Sequence, residues 1–206
     1  MSRDAYHHSF KQPETGAPLV FTFHGTGGDE HQFTGLIGQI LPDAGIVSPR
    51  GDVSEHGANR FFRRKAEGVY DMEDLAARTE KMIGFVRAHR GEHEGAPAFG
   101  LGYSNGANIL ASVLLKAPEL FGRVVLMHPL IPWTPAANPG LKGRHVLITA
   151  GRRDPICPLP LTETLVNYLE GQGAKVDLQL HDGGHEVRQQ EVHAIAAFLS
   201  SVPASP

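Results

Sequence analysis

The chain has 206 residues, a formal charge of −3 with histidines neutral, and 41% hydrophobic residues, enough for one substantial core and too few cations for a nucleic-acid or anionic-lipid partner. A single cysteine, Cys157, excludes an internal disulfide, a Cys-rich zinc site and a dithiol redox pair. The polar N-terminus and the absence of a long apolar run predict a cytoplasmic protein with no membrane insertion.

Residues 5–12 suit an edge strand. Leu19 to Phe23 is a short apolar run of the kind covered on both faces of a parallel sheet. It leads into His24-Gly25-Thr26-Gly27-Gly28-Asp29-Glu30, whose glycines let backbone N–H groups turn outward to hold a negative oxygen. A phosphate loop needs a Gly-Lys-Ser/Thr ending, whereas Asp29 and Glu30 repel phosphate, so the reading is an oxyanion loop, with His24 bonding inside it. A helix is predicted over 30–41, ended by Pro42, and a buried strand over 45–49. Residues 50–70 show no period and read as one long irregular loop, either bordering the substrate site, with phenylalanines such as Phe62 as apolar walls and one arginine, Arg63, as a carboxylate clamp, or simply carrying a solvated basic run.

A strong helix follows over 74–90. Pro97-Ala98-Phe99 then leads into Gly102-Tyr103-Ser104-Asn105-Gly106 and a helical stretch ending near Pro118. That context, a strand, a sharp turn and a helix, places Ser104 at the tip of a strained turn whose glycines avoid collision with neighbouring backbone. The alternative role for Ser104 is to cap the helix. A strand over 122–127 is followed by Pro129, Pro132, Pro135 and Pro139, which rule out a lid helix, leaving Leu130, Ile131 and Trp133 as pocket wall or as a stiff apolar loop on the core. The strand 145–149 precedes the loop 151–158 with Asp154 and Cys157, the latter read as a small apolar residue. A helix (161–172), a strand (175–180), the loop His181 to His185 and a last helix (187–200) complete the chain.

Strands alternating with helices predict a mostly parallel twisted sheet with helices on both faces, one α/β domain over 1–206. In such a sheet the loops at the carboxyl ends of strands meet at one edge, and Thr26, Ser104, Asp154 and His185 all sit in such loops. Their order, Ser then Asp then His, is that of an α/β-hydrolase. Asp182 is a rival acid, too near His185 in sequence to face it, and His181 and His193 are rival bases.

With segments 24–30, 59–64, 102–108, 128–133, 151–158 and 183–186 together, nearly the whole chain resembles the α/β-hydrolase superfamily, and within it the small bacterial phospholipase/carboxylesterase family related to dienelactone hydrolases. The resemblance implies an α/β-hydrolase fold without a lid domain, Ser104 as nucleophile, His185 as general base, Asp154 as its orienting acid, and the N–H groups of Thr26 and Asn105 as oxyanion hole. It implies a serine carboxylesterase acting on a small-molecule ester without metal or cofactor, and is compatible with a homodimer. Dienelactone hydrolases generally carry cysteine where Ser104 stands, and acyl-protein thioesterases Gln-Gly-Gly where this chain has Asn105-Gly106-Ala107, so substrate remains open among esters, thioesters, lactones and lysophospholipids. A non-catalytic scaffold that binds a small ligand is the alternative from another class.

Overall fold

The computed structural model describes residues 2–66 and 68–201. Its centre is a seven-stranded sheet. The strands are β1 (His8–Lys11), β2 (Leu19–Phe23), β3 (Gly45–Pro49), β8 (Ala98–Tyr103), β9 (Arg123–Met127), β10 (His145–Gly151) and β11 (Lys175–His181), in the order β1-β3-β2-β8-β9-β10-β11. Only β1 runs antiparallel, pairing with β3 from His8 opposite Pro49; every other pairing is parallel. Four short strands lie outside this sheet: β4 (Val53–Glu55), β5 (Ala58–Arg60), β6 (Arg64–Ala66) and β7 (Val69–Tyr70).

The apolar strand runs are explained by burial on both faces. Phe21, Val124 and Ile148 point into one cluster with α2 (Met72–Gly91), α3 (Asn105–Lys116) and α4 (Leu159–Gly171), through Phe85, Ile109 and Leu165 among others. Their neighbours Val20, Val125 and Leu147 point into a second cluster with α1 (Thr34–Ile40) and α5 (Gln189–Ser200), through Ile37, Ile195 and Leu199. Alternate side chains therefore enter opposite cores, which is why the central strands β2, β9 and β10 carry no polar alternation, whereas β11 at the sheet edge does. Among the described residues no helix is long and apolar enough to cross a membrane.

Two local expectations are corrected. The first helix starts at Thr34 rather than Glu30, because the buried Glu30 carboxylate is drawn to the half-exposed Arg50 and residues 30–33 form turns. The stretch 50–70 is not one irregular loop: β4 pairs β5 and β6 pairs β7 as two antiparallel hairpins. In the first, His56 (φ 51) and Gly57 (φ 86) both take positive φ, the requirement of a two-residue turn between twisted strands. Three-residue strands are too short to show a period, so the His-Gly pair is the signal that reveals the hairpin.

The junction of β8 and α3 is held by close backbone approach. A Cβ on Gly106 would lie 2.2 Å from the Phe23 carbonyl oxygen, and one on Gly102 would lie 2.6 Å from the Gly106 carbonyl oxygen. Gly106→Ala is therefore expected to destabilise the fold by about 3 kcal/mol or more, because backbone on both sides must move. Urea unfolding measures this, and a loss below about 1 kcal/mol would show that the contact relaxes freely.

Candidate active site

The loop following β2 accounts for its own N–H groups one by one. Gly25 N–H donates to Gln32 Oε1 (2.9 Å), Gly27 N–H to the Asn59 carbonyl (2.9 Å) and Gly28 N–H to the Gly25 carbonyl (3.0 Å). Among the described residues the N–H of Thr26 has no protein acceptor. Asn59 fixes the loop from the other side by donating its Nδ2 to the Gly28 carbonyl. His24 is structural, as expected. Its Nε2 accepts from Gly51 N–H (2.9 Å), which leaves Nδ1–H to donate to the Gly25 carbonyl (2.7 Å), and burial holds its pKa below the ordinary histidine value. Glu30 is buried under a two-point contact with Arg50 (2.6 Å each) that pulls its pKa down to about 2. Glu30 thus anchors the loop rather than facing a ligand.

Ser104 sits between β8 and α3 with φ 52 and ψ −118, a strained conformation for a residue with a side chain. Its N–H donates to the Met127 carbonyl (2.9 Å), while its hydroxyl makes no capping bond to the helix that follows. The capping role is thereby ruled out. The hydroxyl lies 2.9 Å from His185 Nε2, and His185 Nδ1 lies 2.7 Å from Asp154 Oδ2. The next residue, Asn105, has an N–H without a protein acceptor among the described residues, and its side-chain Oδ1 accepts from Phe61 N–H (2.7 Å). The free N–H groups at Thr26 and Asn105 flank a cavity of about 260 Å³ that also opens onto Ser104 and His185.

Asp154 is buried at the start of the loop after β10. Its Oδ1 accepts from the backbone N–H groups of Ile156 (2.8 Å) and Cys157 (2.9 Å), which fixes the carboxylate plane. Burial alone would raise its pKa, but hydrogen bonds from Cys157 N–H, His128, His185 and Ile156 N–H hold it below the usual aspartate value, so the group is a carboxylate. Asp182, the rival acid, has a side chain 86% exposed that pairs with Arg152 and does not reach His185. Tyr103 closes the other side of His185. Its hydroxyl donates to the His185 carbonyl (2.8 Å), its ring lies 5.4 Å from the imidazole, and burial raises its pKa to about 12.

The substrate residues read from sequence divide differently. Phe62 is fully buried and packs against Tyr70 (4.8 Å between rings), so it belongs to the core. Arg63 points to solvent and pairs with Asp71 and Asp74. Because Phe61 and Phe62 turn inward together, the flanking Arg60 and Arg64 line the cavity in place of Arg63. Ile131 is buried in the core and Trp133 packs on it, neither lining the cavity; Leu130, Tyr70, Asn108, Ile156 and Cys157 do. Asn108 pins this wall by donating to Tyr70 Oη (2.7 Å) and accepting from Leu130 N–H (2.7 Å).

Beyond Asp154 lies a group that sequence reading did not bring together: His128, Glu191, Thr149 and His181, the last weighed there as a rival base, all buried. His128 Nε2 (3.0 Å) and Thr149 Oγ1 (2.6 Å) lie at hydrogen-bond distance from Glu191 Oε1, and His181 Nε2 stands 3.2 Å from Glu191 Oε2 without hydrogen-bond geometry. His128 follows β9 as His24 follows β2, and that shared position at a strand's carboxyl end was the available signal.

No family model matches the chain. Over 179 residues it is 38% identical to MhqD of Bacillus subtilis (strain 168), a protein named as a hydrolase, covering 86% of this chain and 90% of that one. The solved carboxylesterase of Bacillus cereus is 37% identical, with a TM-score of 0.86 over 93% of this chain and 92% of that one. Atu2452 of Agrobacterium tumefaciens, a protein of unknown function, is 53% identical with a TM-score of 0.91 over 97% and 98% of the two chains. With a parallel-rich sheet covered by helices on both faces and relatives of this extent, the chain belongs to the α/β-hydrolase esterase family and is a carboxylesterase-type hydrolase.

Proposed function

We propose that the chain hydrolyses small, freely entering carboxylic esters through an acyl-enzyme on Ser104. The observation that carries this reading is the continuous line from Ser104 Oγ to His185 Nε2 (2.9 Å) and from His185 Nδ1 to Asp154 Oδ2 (2.7 Å). A serine hydroxyl is a weak nucleophile until an imidazole takes its proton, and a carboxylate on the second ring nitrogen fixes the tautomer that can do so. Ser104 Oγ attacks the ester carbonyl as its proton passes to His185 Nε2. The C–O π electrons move to the carbonyl oxygen, where the N–H groups of Thr26 and Asn105 receive the negative charge.

Collapse of this intermediate breaks the bond to the leaving oxygen, which takes the proton from His185 and departs as the alcohol. Water then gives its proton to His185 and its oxygen to the acyl carbon, and Ser104 regains its hydrogen as the acid leaves. The cavity's volume, about 260 Å³, favours a short acyl or alkoxy group. Among the described residues no lid domain covers it, and the proline-rich segment after β9 forms a short 3-10 turn at Pro139–Leu141.

The test is turnover of a panel of short p-nitrophenyl esters, acyl thioesters, lactones and lysophospholipids, alongside labelling by a fluorophosphonate. The expected result is fastest turnover of the short esters, with the phosphonyl group mapped to the peptide carrying Ser104. Folded protein that neither turns over any ester nor takes up label would leave a ligand-binding scaffold as the better account.

A further inference from the structure

A second imidazole shares the acid of the triad. His128 Nδ1 lies 2.9 Å from Asp154 Oδ2, the oxygen that His185 also uses, and His128 Nε2 lies 3.0 Å from Glu191 Oε1. Carboxylates only accept hydrogen bonds, and a neutral imidazole has a single N–H, so one of these contacts would set lone pair against lone pair. A charged imidazolium satisfies both. Burial works against that charge, but the hydrogen bonds that His128 donates to Glu191 and Asp154, and their negative charge, hold the His128 pKa above the ordinary histidine value.

The groups facing His128 come from every neighbouring element. Tyr103 approaches from β8, Asp154 and Cys157 from the loop after β10, His181 from the end of β11, His185 from the loop before α5, and Glu191 from α5 itself. Glu191 is fully buried and receives more than His128. Thr149 Oγ1 donates to its Oε1 (2.6 Å), Arg188 N–H donates to its Oε2 (2.6 Å), and His181 Nε2 stands 3.2 Å from Oε2. His181 Nδ1 accepts from Gly183 N–H (3.0 Å), which places the His181 proton on Nε2, near Glu191 but without hydrogen-bond geometry to it. His128 itself is held with φ 50, its N–H donating to the Thr149 carbonyl (2.8 Å) and the Cys157 thiol donating to its carbonyl (3.1 Å). A non-glycine residue kept in that conformation, with both ring nitrogens paired and no exposure, is over-determined by its surroundings.

We propose that His128 and Glu191 are positioning residues for the triad: a standing His128 imidazolium orients Asp154, and Glu191 supplies the negative charge that leaves Asp154 free to stabilise a proton on His185. Two carboxylates and one imidazolium leave the cluster one charge negative at rest and neutral when His185 receives the serine proton. Without Glu191, Asp154 and His128 already neutralise each other, and a second imidazolium has nothing to balance it. The inference rests on Ser104, His185 and Asp154 being the catalytic line.

Two measurements test it. In wild-type protein with ¹⁵N-labelled histidine, one residue should keep both ring nitrogens protonated at pH 8. It is identified as His128 by its loss in His128→Asn, since asparagine tolerates positive φ. The second is the pH profile of kcat/KM for a p-nitrophenyl ester. A base works once deprotonated, so removing a nearby negative charge moves the acid limb to lower pH and removing a positive one moves it to higher pH.

Glu191→Gln should shift the limb down and His128→Asn should shift it up, each by about one pH unit, and the double variant should return it close to wild type. In each single variant kcat should fall about 10- to 100-fold with KM little changed. A neutral His128 at pH 8, or limbs that stay put or move the same way in folded variants, overturns the proposal. The NMR result needs no variant activity, and Ser104→Ala retaining full turnover would instead overturn the catalytic line itself, so the two failures are separable.

Discussion

Ser104→Ala is expected to fold normally and to hydrolyse esters roughly five orders of magnitude more slowly than wild type. The change removes one atom, and that atom contributes little to stability. The Ser104 hydroxyl makes no helix-capping bond, its recorded partner is His185, and the strained backbone at φ 52 is imposed equally on serine and alanine. Thermal unfolding should therefore stay within about 1 kcal/mol of wild type, as for changes that disturb no packing or buried network. Measured together, the two quantities separate a lost nucleophile from a lost fold. A variant that keeps more than a hundredth of wild-type kcat would place the nucleophile elsewhere.

Asp154→Asn should cost about four orders of magnitude in kcat, for a reason specific to the wiring of this carboxylate. Oδ1 receives the N–H groups of Ile156 and Cys157, so an asparagine must place its carbonyl oxygen there. Its NH₂ group then faces the ring nitrogens of both His185 and His128, where Oδ2 had accepted from each. His185 is driven to the tautomer with its proton on Nε2, pointing at Ser104 and unable to accept from it. His128 meanwhile loses one carboxylate partner inside the core, so this variant, unlike Ser104→Ala, should also lose about 1–3 kcal/mol of stability. Kinetics and urea unfolding of the same preparation check both statements. Activity within tenfold of wild type would mean that Asp154 does not orient His185.

The central strands of the main sheet were legible because they are short apolar runs bounded by glycine and proline, a pattern that burial on both faces produces directly. The meeting of Ser104, Asp154 and His185 was legible because each follows a strand and parallel topology brings those ends together. What escaped the sequence depends on contacts between remote residues. Nothing in the order Arg60-Phe61-Phe62-Arg63-Arg64 says which arginine faces the cavity; that follows from two phenylalanines turning into a core formed by distant elements. Phe62 and Arg63 were accordingly misplaced, and Arg60 and Arg64 stand where they were expected. Glu191 reads as a polar residue on an amphipathic helix, and only the packing of α5 beneath β10 brings it to Thr149 and His128. His128 carried a fainter sign, its place at the end of β9, but a histidine there has no spacing relation to its partners.

The acyl-enzyme is the central claim, and trapping it is the most direct test. Wild-type protein mixed with a slowly deacylating short p-nitrophenyl ester, quenched in acid within milliseconds to seconds and digested, should yield the peptide containing Ser104 heavier by the acyl group. That mass should appear with the first equivalent of nitrophenol and be absent from Ser104→Ala. An early burst of nitrophenol with the acyl group on another residue, or steady hydrolysis with no acylated peptide at any time, would contradict the account.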